Sequence, residues 1–291
     1  MTFQIQFILL ALIGLGYLSK KLGVLKHEDA QPLSAILINF MLPALIISNF
    51  STSNINAQLG LMTLSAVLIL FPLLGIGWLI SRKYEVNTAR TVILLMGSYW
   101  GATLAFPFII ATFGQEGLKI FLFYDLIQAL LIPTIIPLIA QGSVKSFKPI
   151  LLLKNPLFMA LIIGLGMNYF KISIPFATEF LNTISSGTVF IGLLIIGLNL
   201  ELKVDQWKRP LFIIIVKTIV GLALALLVVW IFKFEGIYRS IIILAATLPP
   251  SLMVVIFSQK YNLDKKLAAN TLTIALPISI LVMTLVSLFV T

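Results

Sequence analysis

Two ionisable side chains, Asp125 and Lys217, sit inside long runs of apolar residues. A charge at membrane depth costs roughly a few kcal/mol, so such a residue faces a bundle interior or marks a pathway. A carboxyl in that setting can hold a proton or a cation. An ammonium can pair with it or attract an anion, and a lysine is also long enough to snorkel to the headgroups. Asp125 is too short for that, which leaves a coupling or gating role, a structural pair, or a neutral hydrogen-bonded acid.

The second group of candidates surrounds prolines. "MGSYWGATLAFPF" (Met96–Phe108) carries Gly97, Gly101 and Pro107, and "AATLPPSLMVV" (Ala245–Val255) carries Pro249 and Pro250. Proline inside a helix removes a donor and clashes with the preceding turn, at about 3 kcal/mol or more. Non-helical backbone at membrane depth survives only when buried in protein or lining a wet cavity. Two breaks there are expected to aim half-helix N-termini and free amides at an anionic group. Ser98, Trp100, Thr103 and Ser251 flank them, while Asn39, just before Pro43, and Asn270 are softer candidates for the same cavity. The competing readings are a simple proline kink and small polar residues that glue helices together.

Bond-breaking chemistry finds no support. The chain has no cysteine and one histidine, His27, in a charged loop, so neither a thiolate nor a histidine-built metal site is expected. No paired carboxylates, zinc spacing or Ser-His-Asp arrangement is present, and no enzyme activity or cofactor is expected. The glycines of "IGLGYL" and "IIGLG" lie in apolar runs with no strand before them, so they read as helix-packing sites rather than nucleotide loops.

The elements that must position these residues follow from composition. Of 291 residues, 60% are hydrophobic and 10% charged. Soluble domains carry about 25% charged residues, which leaves an integral membrane protein. A span needs about 20 mostly apolar residues. Ten are expected, near 3–19, 31–50, 58–80, 91–113, 118–140, 155–170, 176–199, 210–232, 239–258 and 267–290. The first, "FQIQFILLALIGLGYLSKK", reads as a retained span rather than a signal peptide. The loops after spans 1, 3, 5, 7 and 9 hold fifteen Lys or Arg, and the other four loops hold four. That bias places the odd loops in the cytoplasm and both termini outside a cell membrane. The formal charge of +10 therefore orients the chain, and no nucleic-acid partner is expected.

Five spans precede the loop "QGSVKSFKP" and five follow it, so the second half would enter the membrane inverted. The expected organisation is residues 1–140 as one five-helix repeat, 141–150 as a cytoplasmic loop and 151–291 as the inverted repeat. Thr103–Leu126 can be laid on Thr247–Leu272 so that Pro107 meets Pro250 and Asp125 meets Asn270. The fold class is thus all-α, ten transmembrane helices in two inverted repeats, with helices 4 and 9 broken.

Five pieces in order resemble one known family. They are "GYLSKKLGVL" with "NFMLPALIISNF", "FPFIIATFGQEGL", "KNPLFMALIIGLGMNYFKISIP", "LPPSLMVVIFSQKYNL" and "IALPI". Together they resemble the auxin efflux carriers, bacterial relatives of the plant PIN carriers within the bile acid/auxin-type superfamily. The resemblance implies a scaffold of helices 1, 2, 6 and 7 and a transport part of helices 3–5 and 8–10. It also implies a substrate site where helices 4 and 9 cross, and an elevator-like motion. Family substrates are mainly organic anions: auxin in plants, malate or malonate in some bacteria. Pro107 and Pro249 match the family's crossover prolines. Trp100 stands where many members have asparagine, Ala105 where glycine is usual, and Val189 and Val254 where prolines are common.

The resulting expectation is a secondary transporter or facilitator of a small organic anion, in contact with the lipid bilayer, with Asp125 as a candidate proton or cation site and the coupling ion, proton, sodium or none, left open. A sodium-coupled symporter of bile-acid type and a non-transporting membrane receptor are the alternatives. Oligomeric state stays open, a homodimer included.

Overall fold

An apolar chain must satisfy its own backbone, and the helix does so within one segment. The computed structural model describes residues 2–53, 56–132, 134–142, 153–172, 174–200 and 206–290, without the side chains of 2–6, 102–103 and 288–290. Among the described residues the regular structure is entirely helical. Six helical stretches are long and apolar enough to cross a membrane: His27–Ser51, Ala57–Ser81, Phe106–Gln141, Pro175–Asn199, Lys208–Phe232 and Lys265–Ser287. Val86–Met96, Pro156–Tyr169 and Gly236–Ala246 are shorter apolar helices. Of the loop expected at 141–150, only Gln141 and Gly142 are described.

The chain divides into two units. The first comprises Met1–Leu59, Ala102–Phe123 and Ile150–Leu200. Its helices are α1 (Thr2–Lys21), α2 (Ala30–Ile36), α3 (Leu42–Ser51), the first part of α6 (Phe106–Leu131), α8 (Pro156–Tyr169), α9 (Pro175–Ser185) and α10 (Thr188–Asn199). A π-helical turn, Leu37–Met41, joins α2 to α3 and ends two residues before Pro43, whose missing N–H displaces the regular ladder. α8 starts where Asn155 accepts from the amides of Leu157 and Phe158 (2.9 and 3.4 Å), with Pro156 in the first turn. That N-cap followed by proline is the physical content of the "KNP" motif. Asn168 closes α3 by donating to the carbonyls of Phe50, Ser51 and Ser53.

Glycines set the closest approach in this unit. A Cβ on Gly16 of α1 would lie 2.3 Å from the Leu194 carbonyl of α10, and one on Gly197 would lie 2.1 Å from that of Ile13. Gly164 of α8 likewise faces Phe50 and Ile47 of α3. Gly16 and Gly164 are thus packing glycines, as their sequence context suggests. Lys20 closes α10, donating to Leu198 and Leu200 carbonyls at 2.8 and 2.7 Å, which is where a cation suits a helix C-terminus.

The second unit comprises Gly60–Gly101, Tyr124–Pro149 and Glu201–Thr291. It holds most of α4 (Ala57–Ser81), then α5 (Val86–Met96), the end of α6, α7 (Ile135–Gln141), α11 (Lys208–Phe232), α12 (Gly236–Ala246), α13 (Met253–Lys260) and α14 (Lys265–Val290). Asp264 ties its ends together. Its amide donates to Thr91 Oγ1 (3.1 Å), one carboxylate oxygen accepts from Thr88 (2.9 Å), and the other accepts from the Leu267 amide (3.0 Å).

The helix boundaries differ from the sequence expectation in one region. Spans expected at 91–113 and 118–140 with a loop between them start instead at Val86, break after Met96, and continue as α6, in which two helical segments meet directly at a kink. Only Gly114 departs from helical geometry inside α6, at φ 66°, ψ −162°. Glycine adopts that positive φ without a Cβ clash, so the chain turns there without a loop.

Candidate functional site

Both proline-bearing spans are broken. α5 ends at Met96, residues 97–100 are non-helical, and a π-helical turn, Gly101–Ala105, leads into α6 two residues before Pro107. α12 ends at Ala246, and the chain stays out of the α-helix through Pro249 and Pro250 until Met253 starts α13. At 1.5 Å per residue, the eleven residues of α5 or of α12 reach only about 16 Å, roughly half the hydrocarbon depth.

The two breaks bond to each other. The Trp100 amide donates to the Pro249 carbonyl at 2.9 Å, and the Ser251 amide to Ser98 Oγ at 3.4 Å. Ser251 Oγ in turn accepts from the Met253 amide at 3.2 Å. Ser98, Trp100, Pro249, Pro250 and Ser251 are all buried. This corrects the expectation that these amides stand free for an anion: in a buried setting the donors of Trp100, Ser251 and Met253 have found acceptors within the protein.

Lys217 belongs to this cluster, in a different role from those expected. Its Nζ donates to the carbonyls of Ser98 (2.6 Å) and Met96 (3.1 Å), and only 4% of the residue is exposed. It neither snorkels nor pairs with Asp125; among the described residues those two make no ion pair. The physical reason is the break. The last carbonyls of α5 have no intrahelical donor, and the helix dipole favours a cation there.

Asp125, 8% exposed, lies against the other side of the same segment. A Cβ on Gly101 would fall 2.7 Å from its Oδ1, and that oxygen has no hydrogen-bond partner. The rings of Tyr99 and Tyr124 pack 5.9 Å apart, and Tyr99 interacts electrostatically with the Asp125 carboxyl. Gln128, one turn beyond Tyr124, donates to the Tyr99 carbonyl at 2.9 Å, while its Oε1 is buried without a partner. Gln128 is a residue that sequence reasoning passed over; a lone amide in an apolar run was its only signal.

Pro107 is buried at the start of α6. The side chain of Thr103 lies outside the described residues. Asn39 is exposed in the π-helical turn of the first unit and bonds its own helix, donating to the Ala35 carbonyl at 2.8 Å. Asn270 is half-buried in α14 and donates to the Gln206 carbonyl at 3.4 Å.

A cavity of about 470 Å³ opens within the first unit. Its polar lining includes Asn49, Gln115, Lys119, Asn182 and Ser185, and no carboxylate is among its described lining residues. Asn49 Nδ2 donates to Gln115 Oε1 at 3.5 Å, and Lys119 brings an ammonium to the lining. Among the described residues, none of those expected to hold substrate lines this cavity. Asn49, Gln115 and Asn182 were missed because each sits near a span end, where polar residues are unremarkable. No group of three or more His, Cys, Asp or Glu side chains able to hold a metal occurs among the described residues.

Comparison with known proteins gives this arrangement a context. The model of a family described as membrane transport protein matches residues 3–149 and 143–287. An uncharacterized transporter of Methanocaldococcus jannaschii is 27% identical, covering 97% of this chain and 96% of its own length. Another, from Methanothermobacter thermautotrophicus, is 23% identical over 90% of this chain and 89% of its own. Taken with the apolar helices, these matches make the chain a multi-pass membrane protein of transport function rather than an enzyme, and it belongs to the membrane transport protein family, that of the auxin efflux carriers.

Proposed function

We propose that the chain is a secondary transporter of a small organic anion, a carboxylate, whose site is built on the paired breaks at Ser98–Gly101 and Pro249–Ser251. The observation that carries this reading is the main-chain bond from Trp100 to Pro249, which joins two helices interrupted inside apolar runs. Irregular backbone at membrane depth is otherwise costly and marks binding sites in transporters of inverted-repeat design. The finer architecture belongs to the same proposal: ten helices in inverted halves, 1–140 and 151–291, with both termini outside. Helices 1, 2, 6 and 7 form its scaffold, and the rest move in an elevator-like cycle with Asp125 as proton carrier.

Within the first unit, Ile110, Gln115 and Lys119 of α6 line its cavity. That cavity is of ligand size, and among its described lining residues one cation and no carboxylate suit an approaching anion. Flux into proteoliposomes, with a panel of malonate, malate and indole-3-acetate, tests the proposal. Saturable uptake of at least one acid is expected, with Trp100→Ala raising its KM severalfold. No flux of any carboxylate, or an unchanged KM in the variant, would contradict it.

A further inference from the structure

We infer that Lys217 is a built-in cation: its ammonium occupies the position at the end of α5 that a coordinated alkali ion would take, so the broken helix needs none from solution. The residue is deep in α11, ten residues into a 25-residue helix, and it is 4% exposed. A buried ammonium must be compensated. The only other charged side chain among the buried described residues is Asp125, and no ion pair links them. Two main-chain carbonyls compensate it instead, those of Met96 and Ser98, at 3.1 and 2.6 Å.

Carbonyls released at the C-terminus of a half-helix are the ligand set with which discontinuous membrane helices hold sodium. Here the tethered ammonium takes those ligands. One turn further along α11, Gly221 lets the Ala246 carbonyl at the end of α12 come close; a Cβ there would be 3.1 Å from that oxygen. The two α11 residues at i and i+4 thus lie at the C-terminal ends of both interrupted helices, the ammonium at α5 and the glycine at α12.

Substitution should turn the built-in cation into a demand for a free one. The test is thermal melting of the detergent-solubilised chain in choline, sodium or methylammonium chloride at equal ionic strength. Because it uses no transported solute, it reads the cation separately from the substrate assignment. The wild-type melting temperature should be the same in all three salts. Lys217→Ala should melt several degrees lower in choline and recover most of that loss in sodium or methylammonium. Lys217→Met, which fills the space without charge, should melt lower and recover in none. Lys217→Gln keeps donors for the carbonyls but no charge, and covers the case in which the alanine variant fails to fold; it too should melt below wild type. A wild type stabilised by sodium, an alanine variant equally unstable in every salt, or a glutamine variant matching wild type would overturn the inference.

Discussion

At the residue scale, the cluster at Met96–Gly101 separates two charges that the sequence had placed together. From rise per residue, Asp125 and Lys217 differ by only about 8 Å in depth. Depth along a helix is legible from a sequence, but the direction a side chain takes around it is not. The structure turns Lys217 onto carbonyls of the break, while Asp125 meets Gly101. The Asp125 Oδ1 has no hydrogen-bond partner, and the proposed function makes this residue the proton carrier. Asp125→Asn should therefore abolish the response of flux to an imposed pH gradient while leaving exchange of the same acid measurable. A pH response retained in that variant would exclude Asp125 as the carrier.

Among the elements, prolines were the most informative letters and their local consequences the least legible. The α-helix is interrupted at 97–100, ahead of Pro107, and at Pro249, whereas Pro72 and Pro277 lie inside continuous helices. The sequence did not disclose that π-helical turns precede both Pro43 and Pro107 by two residues, because that adjustment depends on how neighbours hold the displaced backbone. The span expected at 176–199 matches the apolar stretch Pro175–Asn199, within which a turn at Ser186 and Gly187, close to Met41, divides α9 from α10. Of the glycines expected to pack, Gly16 and Gly164 meet neighbouring helices while Gly14 and Gly166 do not, and the Gly16–Gly197 contact has a measurable weight. Gly197→Ala would place a methyl against the Ile13 carbonyl and the Tyr17 amide, 2.1 and 2.7 Å away. Overpacking of that kind costs about 1–3 kcal/mol, so the variant should melt several degrees lower. An unchanged melting temperature would show that α1 and α10 can part without loss.

On the scale of the whole molecule, composition alone excluded a soluble enzyme, and the family match agrees. The cavity of the first unit was not legible, since its lining comes from α3, α6, α9 and α10, far apart in the chain. Transport requires more than a cavity: the buried break must open to water on each side in turn. The chain contains no cysteine, so a single Ser251→Cys reports on that event without background. The most direct measurement is its rate of modification by a charged, membrane-impermeant thiosulfonate added to either face of proteoliposomes, with and without the acid that the flux assay identifies. The paired-break mechanism predicts reaction from both faces, slowed severalfold by the acid. A cysteine that reacts from neither face, or at a rate the acid leaves unchanged, would contradict it.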